Sequence, residues 1–563
     1  MQLTPPPVPP WLPLQQLAVL GVVALSLLTV WYIERPAGRW GRLLRRRFLA
    51  GVPWGTFVVS AIVLGVYLFV QGGIDHWVSP IVVPFRAWSY FYPLGLVVSG
   101  FAHAGPNHLI GNLVGTLVFA PLAEYAWGHF PTRRGSSSFS SWRTNPYVRA
   151  FVLFPAAVVV VTVATSVVAI GPVIGFSGVV FAFAGFALVR YPVATVVALV
   201  AGRVLGLIRA ALQMPTVQAK AQPTFSSPWW AEIAIQGHAV GLLVGVLLGV
   251  WLLRRRGDPR PPTARTWGGV LLFAVSQSMW AVYWFRGGET FVLFRALGVV
   301  LVFSLATVVA LTVTASDRPL FGRVLSDGGK PDLLTLPRWE WGVVVMVLSA
   351  SALAGPAVPV NLFTASDAPL PGEPVQVRDY EVTYAEDVPD GMISAVDVSA
   401  FGETTAVNTS GVIVRSRDRG IWTTAVTKGR LAFAGRLPVR VGGVGWRDVV
   451  VVDRSGWTVV GGGDVYRVNA THDGDTRTLY RSPPAKARPI VGGRNVTVAA
   501  EPTGFVVRVT HGNETASAPI PPAGESVTLE GVELQRTKKG LVAHYEGTRV
   551  RVAKPETYPG QRN

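Results

Sequence analysis

The stretch Gly171–Arg190, GPVIGFSGVVFAFAGFALVR, is almost wholly apolar, yet it places one hydroxyl, Ser177, between Gly175 and Gly178. The apolar run 175–190 is short for a bilayer crossing, which takes about 17–25 residues. Longer apolar runs surround it at 12–33, 52–71, 107–127, 148–170, 193–212, 231–253, 267–285, 291–315 and 339–360. With 175–190 they predict ten spans, although 193–212 carries Arg203 and Arg209. The chain of 563 residues is 50% hydrophobic with a mean hydropathy of +0.40, too apolar for a purely soluble protein. It has no cysteine, which excludes disulfides, thiolate catalysis and thiolate-held metals.

Charge is uneven along the chain. Residues 1–360 hold 26 Lys+Arg against 10 Asp+Glu, whereas residues 361–563 hold 24 against 22. A basic excess confined to the apolar part points to cytoplasmic loops and anionic lipid, not to nucleic acid. RPAGRWGRLLRRR (35–47), the loop with Arg133, Arg134, Arg143 and Arg149, Arg190, RRRGDPRPPTAR (254–265) and loop 316–338 all fall on one side when the spans alternate. That puts both ends of the chain outside. The N-terminal MQLTPPPVPPWLPLQQLAVLG lacks a basic region before its apolar run, so it is expected to stay as a membrane segment.

From about residue 365 the pattern changes to short β-branched runs broken by Gly, Asp and Asn, which predicts an exterior β-sandwich or a pair of small β-domains. Sequons at Asn408, Asn469, Asn495 and Asn513 suit an exterior domain, and with the arginine-rich usage they suit an archaeal cell surface. Such a module is expected to bind a surface partner.

Depth places the polar residues of the apolar part. Fourteen residues from Ser177 to Arg190 give roughly 20 Å of helix. If Arg190 marks the inner face of a core about 30 Å thick, Ser177 lies on the order of 10 Å below the outer face. His238, counted inward from Ala231, reaches about the same depth. Gly237, Gly241, Gly245 and Gly249 recur every fourth residue, and Gly178, Ala182 and Gly185 face them with small side chains. Such faces let membrane helices pack closely. The approach would bring His238 to Ser177 as the base that an unactivated hydroxyl needs. His108 and Asn112, four apart, share a helix face and offer N–H donors, and the Ser177 N–H is free at a helix start. Gly175 and Gly178 give that N–H an open approach. His103, His108 and His238 could alternatively hold a metal, but Asn is a poor zinc ligand and no carboxylate lies near in the sequence.

These residues resemble the rhomboid intramembrane serine proteases over roughly residues 50–255. The resemblance rests on Phe85-Arg86, on His103-x4-His108-x3-Asn112, on Gly175-x-Ser177-Gly178, and on Gly237-His238-x2-Gly241-x3-Gly245. It implies a Ser177–His238 dyad without carboxylate or cofactor, an oxyanion hole of His108, Asn112 and the Ser177 amide, and a role for His103 as a structural or cavity residue. Phe181 stands where the family often has a Tyr stacked on the histidine, and Phe85 where it often has Trp. The expected fold is a polytopic α-helical membrane protein. A rhomboid-like six-helix core (50–256) follows an extra N-terminal helix with its basic loop (1–49). Additional helices (257–364) precede an exterior all-β domain (365–563). The expected activity is cleavage of transmembrane protein substrates near the outer leaflet. The alternative is a catalytically silent relative that binds membrane clients through its β-domain. Glu124 is expected to cap or to pair with the basic loop. Trp229 and Trp230 are expected in the interfacial belt, or at a gate before the histidine helix.

Overall fold

The computed structural model describes residues 13–35, 38–131, 135–217, 223–318, 336–362, 369–392, 399–400 and 403–561. Arg133, Arg134, most of loop 316–338 and the first twelve residues lie outside the described residues. The chain divides into two compact units. The first takes Met1–Ala221, Glu232–Tyr283 and Leu293–Asn361; the second takes Gln222–Ala231, Trp284–Val292 and Leu362–Asn563.

The first unit is helical. Among the described residues, seven helices are long and apolar enough to cross a membrane: Leu14–Glu34, Pro106–Trp127, Pro146–Val167, Pro192–Gln213, Ile235–Arg256, Arg295–Thr314 and Arg338–Leu362. Two shorter apolar helices, Trp54–Val70 and Ser177–Arg190, join them. The starts are written in the sequence. Pro106, Pro146 and Pro192 each sit at the first turn, where a missing N–H costs nothing. Gly257, in the left-handed conformation, ends Ile235–Arg256.

The expected span 267–285 is corrected. Its helix runs only over Thr263–Ser276, and Tyr283–Phe285 instead pairs with Phe291–Leu293 as a short hairpin. Aromatic residues suit a strand as well as a membrane interface, and Gly287 and Gly288 supply the positive φ that the turn needs. Helix Pro192–Gln213 is continuous through Arg203, whose Nη2 donates to the Ser276 carbonyl at 2.8 Å. Arg203 therefore caps the neighbouring helix, which ends at Ser276.

Ser177–Arg190 is the central helix. From Val179 to Val189 every residue except Phe186 is buried, as expected for a helix that is apolar all round. Its closest partner is Ile235–Arg256. A Cβ added at Gly241 would collide with the Gly178 carbonyl oxygen, one at Gly245 with that of Ala182, and one at Gly185 with that of Leu242. The two backbones touch because these positions lack side chains.

Glu124 closes the far end of this core. It is fully buried and accepts from Gly55 N (2.8 Å), Thr56 N (2.8 Å), Thr56 Oγ1 (2.7 Å) and His129 Nε2 (2.6 Å). His129 Nδ1 in turn accepts from Leu49 N at 2.8 Å. Glu124 thus caps the helix that begins at Trp54, and no arginine of the basic loop bonds to it among the described residues. Glu124→Ala leaves several buried donors without an acceptor. It should cost about 3 kcal/mol of stability, read as a lower thermal midpoint in detergent; an unchanged midpoint would contradict this role.

The second unit is built of antiparallel sheets and includes the short α-helix Lys428–Ala434. The largest sheet is eight-stranded. The long strand Trp446–Val459 lies between Gly463–His472 and Thr548–Pro555 and also pairs with Arg436–Gly443. A four-stranded meander runs from Ala485 to Pro519. Alternate residues of the meander (Val496, Val498, Val507, Val509) share one buried apolar cluster with Leu534, Leu541, Ala543 and Val552 of the large sheet. A second four-stranded sheet holds Val375–Val377, Tyr380–Pro389, Asn408–Ser416 and Ile421–Thr427. Of the sequon asparagines, Asn408 and Asn513 are exposed, while Asn469 and Asn495 are half-buried in strands.

Candidate functional site

Segment 172–176 leads into the serine helix and is fixed from the Phe85–Ser99 side. Phe85 is fully buried against Ile81 and Ala102. Arg86 Nη1 donates to the Pro172 carbonyl (2.9 Å), Ala87 N to Val173 O (3.1 Å), and Gly175 N to Ser99 O (2.9 Å). Gly175 has φ +117, a conformation that side chains resist. A Cβ there would also stand 2.6 Å from His108 Nε2 and 3.4 Å from Asn112 Nδ2. Glycine therefore serves twice: it turns the chain into Ser177, and it lets His108 and Asn112 reach the backbone two residues before the hydroxyl.

Ser177 opens its helix and is half-buried. Among the described residues its N–H makes no backbone hydrogen bond, as is usual for first-turn amides. His238 lies in the first turn or so of helix Ile235–Arg256. Its ring lies flat on Phe181, with centroids 4.1 Å apart and planes 8° from parallel. Phe181 is four residues after Ser177, so the imidazole stands over the face that carries the serine. The glycine contacts set the same level: Gly178 meets Gly241 and lies near the Gly237 carbonyl. Among the described residues no hydrogen bond joins Ser177 Oγ to His238, and His238 Nδ1 is buried without a partner. Catalytic hydrogen bonds are often long without substrate and shorten in the complex.

On the other side, Ala104 N donates to His108 Nδ1 at 3.5 Å, which leaves the proton of a neutral ring on Nε2, the atom beside Gly175. Asn112 is buried, and its Nδ2 lies 3.0 Å from His103 Nε2. His103 is fully buried and stacks edge-on with His108 at 5.0 Å. It is held in turn by Gln71: Gln71 Nε2 donates to the His103 carbonyl (2.8 Å), and Gln71 Oε1 accepts from His103 N (2.7 Å). Ser177, His238, His108, Asn112, Gly175, Gly178, His103, Phe181 and Gly241 therefore gather at one end of the bundle. Gln71 joins them without having been singled out in the sequence. Its signal was a lone polar residue closing the apolar run 52–71, and nothing local tied it to His103.

Residues 88–255 match the family model described as Rhomboid domain. The chain carries a rhomboid domain. No curated protein and no solved structure matches the chain. The rhomboid match takes in all the residues gathered at this end except Gln71; the Phe85–Ala87 clamp and Ile81 also lie just before it. The helices Leu14–Glu34, Arg295–Thr314 and Arg338–Leu362 and the β-region flank the rhomboid domain. Trp229 and Trp230, ahead of the histidine helix, group with the second unit, where Trp230 meets Phe291 edge-on at 6.3 Å.

Proposed function

We propose that the chain is an intramembrane serine endopeptidase that cleaves transmembrane segments of other proteins by a Ser177–His238 dyad. The observation that carries this reading is convergence. A hydroxyl, a stacked imidazole and three N–H donors surround the Gly175–Gly178 turn, from three helices. Ser177 Oγ attacks the scissile carbonyl carbon while His238 takes the hydroxyl proton. The oxyanion accepts from Ser177 N–H, His108 Nε2–H and Asn112 Nδ2–H. The intermediate collapses with cleavage of the C–N bond, and His238 passes its proton to the departing amine. Water, activated by the same imidazole, then hydrolyses the acyl-enzyme. Phe181 keeps the ring in plane for both transfers, and Gln71 and His103 keep the Asn112 amide in place.

By the charge rule the serine end of the bundle faces the exterior of the cell membrane, as does the β-region, which is the candidate for a surface partner. Asn112→Ala removes one oxyanion donor and should lower kcat about 100-fold with little change in KM. Turnover of a transmembrane substrate in proteoliposomes checks this; a change confined to KM would instead assign Asn112 to substrate binding.

The missing Ser177–His238 hydrogen bond favours the second reading, a silent relative that binds membrane clients. Labelling of the purified protein by a fluorophosphonate separates the two. A covalent adduct supports the protease, and an unlabelled, folded sample sinks it.

A further inference from the structure

Away from the serine site, an apolar cavity of about 100 Å³ opens between helices Pro146–Val167 and Ile235–Arg256, over the serine helix. Ala157, Val161, Phe183 and Leu248 line it, and Trp127 closes one end. Ala157 and Leu248 are exposed at its mouth, so it opens on the surface that lipid would cover. Trp127 is also a wall of a second, larger cavity of about 660 Å³. The linings adjoin through Phe154 and Leu153 on one helix and through Leu248 and Trp251 on the other. The shared Trp127 wall makes them the two parts of one candidate groove. It runs from the apolar middle of the bundle to the end that carries Arg254–Arg256.

The second cavity is aromatic and basic. Trp142 and Trp251 join Trp127, with Arg143, Arg149, Arg255 and Arg256 among them, and among the described residues no carboxylate lines it. Nearby cations at the same end are matched: Arg190 pairs with Asp258, and Arg254 and Arg260 share Asp317. Within the cavity, Arg149 is fixed by two bonds to the Gly128 carbonyl, and Arg256 bonds the Ala126 and Trp127 carbonyls. These two add positive charge but are committed to the fold. Arg143 and Arg255 are exposed, and their guanidinium groups stack on Trp142 (5.2 Å) and Trp251 (5.1 Å).

We propose that this groove binds an anionic phospholipid, with its phosphate on Arg143 and Arg255 and an acyl chain past Trp127 along Ala157, Val161 and Leu248. An apolar slot that continues into a carboxylate-free arginine cluster matches the two halves of such a lipid. A free phosphate would use only the second half. Charge sets the choice of headgroup, since a zwitterionic lipid offers its phosphate with a compensating cation.

The test uses the full chain in a non-ionic detergent, with bound lipid counted by native mass spectrometry. Phosphatidylglycerol should be retained at least about fivefold over phosphatidylcholine. Arg143→Gln with Arg255→Gln should abolish that preference, and Val161→Trp should reduce retention of both lipids. Equal retention of the two lipids by the wild type overturns the proposal and needs no variant to fold. So does a preference that survives the double substitution. Inorganic phosphate that displaces phosphatidylglycerol at equal concentration would make this an anion site without an acyl chain, and would equally reject it.

Discussion

Replacing Ser177 by alanine should lower the cleavage of a transmembrane substrate by at least about 10³-fold while leaving the fold intact. The fold should tolerate the change because Ser177 is half-buried and, among the described residues, its side chain makes no hydrogen bond that would be lost. Its neighbours Gly175 and Gly178 set the backbone, not the hydroxyl. The chemistry should not tolerate it, because without Oγ there is no acyl-enzyme and water must attack directly. The remaining rate would come from the oxyanion donors alone. His238→Ala should fall in the same range, and the double variant should be no worse than either single one, since nucleophile and base act as a unit. Additive losses would mean that the two residues work independently. Proteoliposome assays on matched amounts of folded protein give the comparison.

Gly245→Leu should be severely damaging although it lies away from the reacting atoms. A Cβ at Gly245 falls on the Ala182 carbonyl oxygen, and backbone cannot move aside as a flexible side chain could. The two helices must then separate or slide. The Gly178–Gly241 and Gly185–Leu242 contacts lie along the same seam, so they open together. Overpacking in a close-packed core typically costs about 1–3 kcal/mol, and a clash with backbone belongs at or above the upper end. The stacking of Phe181 on His238 crosses this seam, so the imidazole should leave its position over the serine face. Activity should fall by about 100-fold or more, as for a misplacement on the order of 1 Å, and the thermal midpoint should fall with it. Gly237→Ala is the contrast: nothing lies within 4 Å of its added Cβ, and both readouts should stay near wild type.

Much of this was legible because membrane helices are read from local composition. Apolar length gave the spans, and prolines and arginines marked their ends. The small-residue repeat pointed to the helix seam before any contact was known, because close packing needs small residues at that period; Gly241 and Gly245 meet the neighbouring backbone, and Gly237 does not. The hairpin at Tyr283–Leu293 was not legible: tryptophan, tyrosine and phenylalanine satisfy a lipid interface and a strand equally well. Long-range polar bonds were the other gap. Gln71 reaches His103 across 32 residues, and Glu124 reaches Gly55 across 69. Such pairs have no periodicity, so the sequence marks each residue only as polar in an apolar place. It marked Glu124 in that way and left two partners open; the structure selects the helix N-terminus.

The most direct test of the account is to locate a covalent inhibitor. Wild-type protein in detergent is treated with a fluorophosphonate, digested, and its adduct mapped by tandem mass spectrometry, with Ser177→Ala and His238→Ala treated alongside. The account predicts one adduct, on Ser177 Oγ, absent from Ser177→Ala and strongly reduced in His238→Ala. An adduct on any other residue, or undiminished labelling of His238→Ala, would contradict the Ser177–His238 dyad.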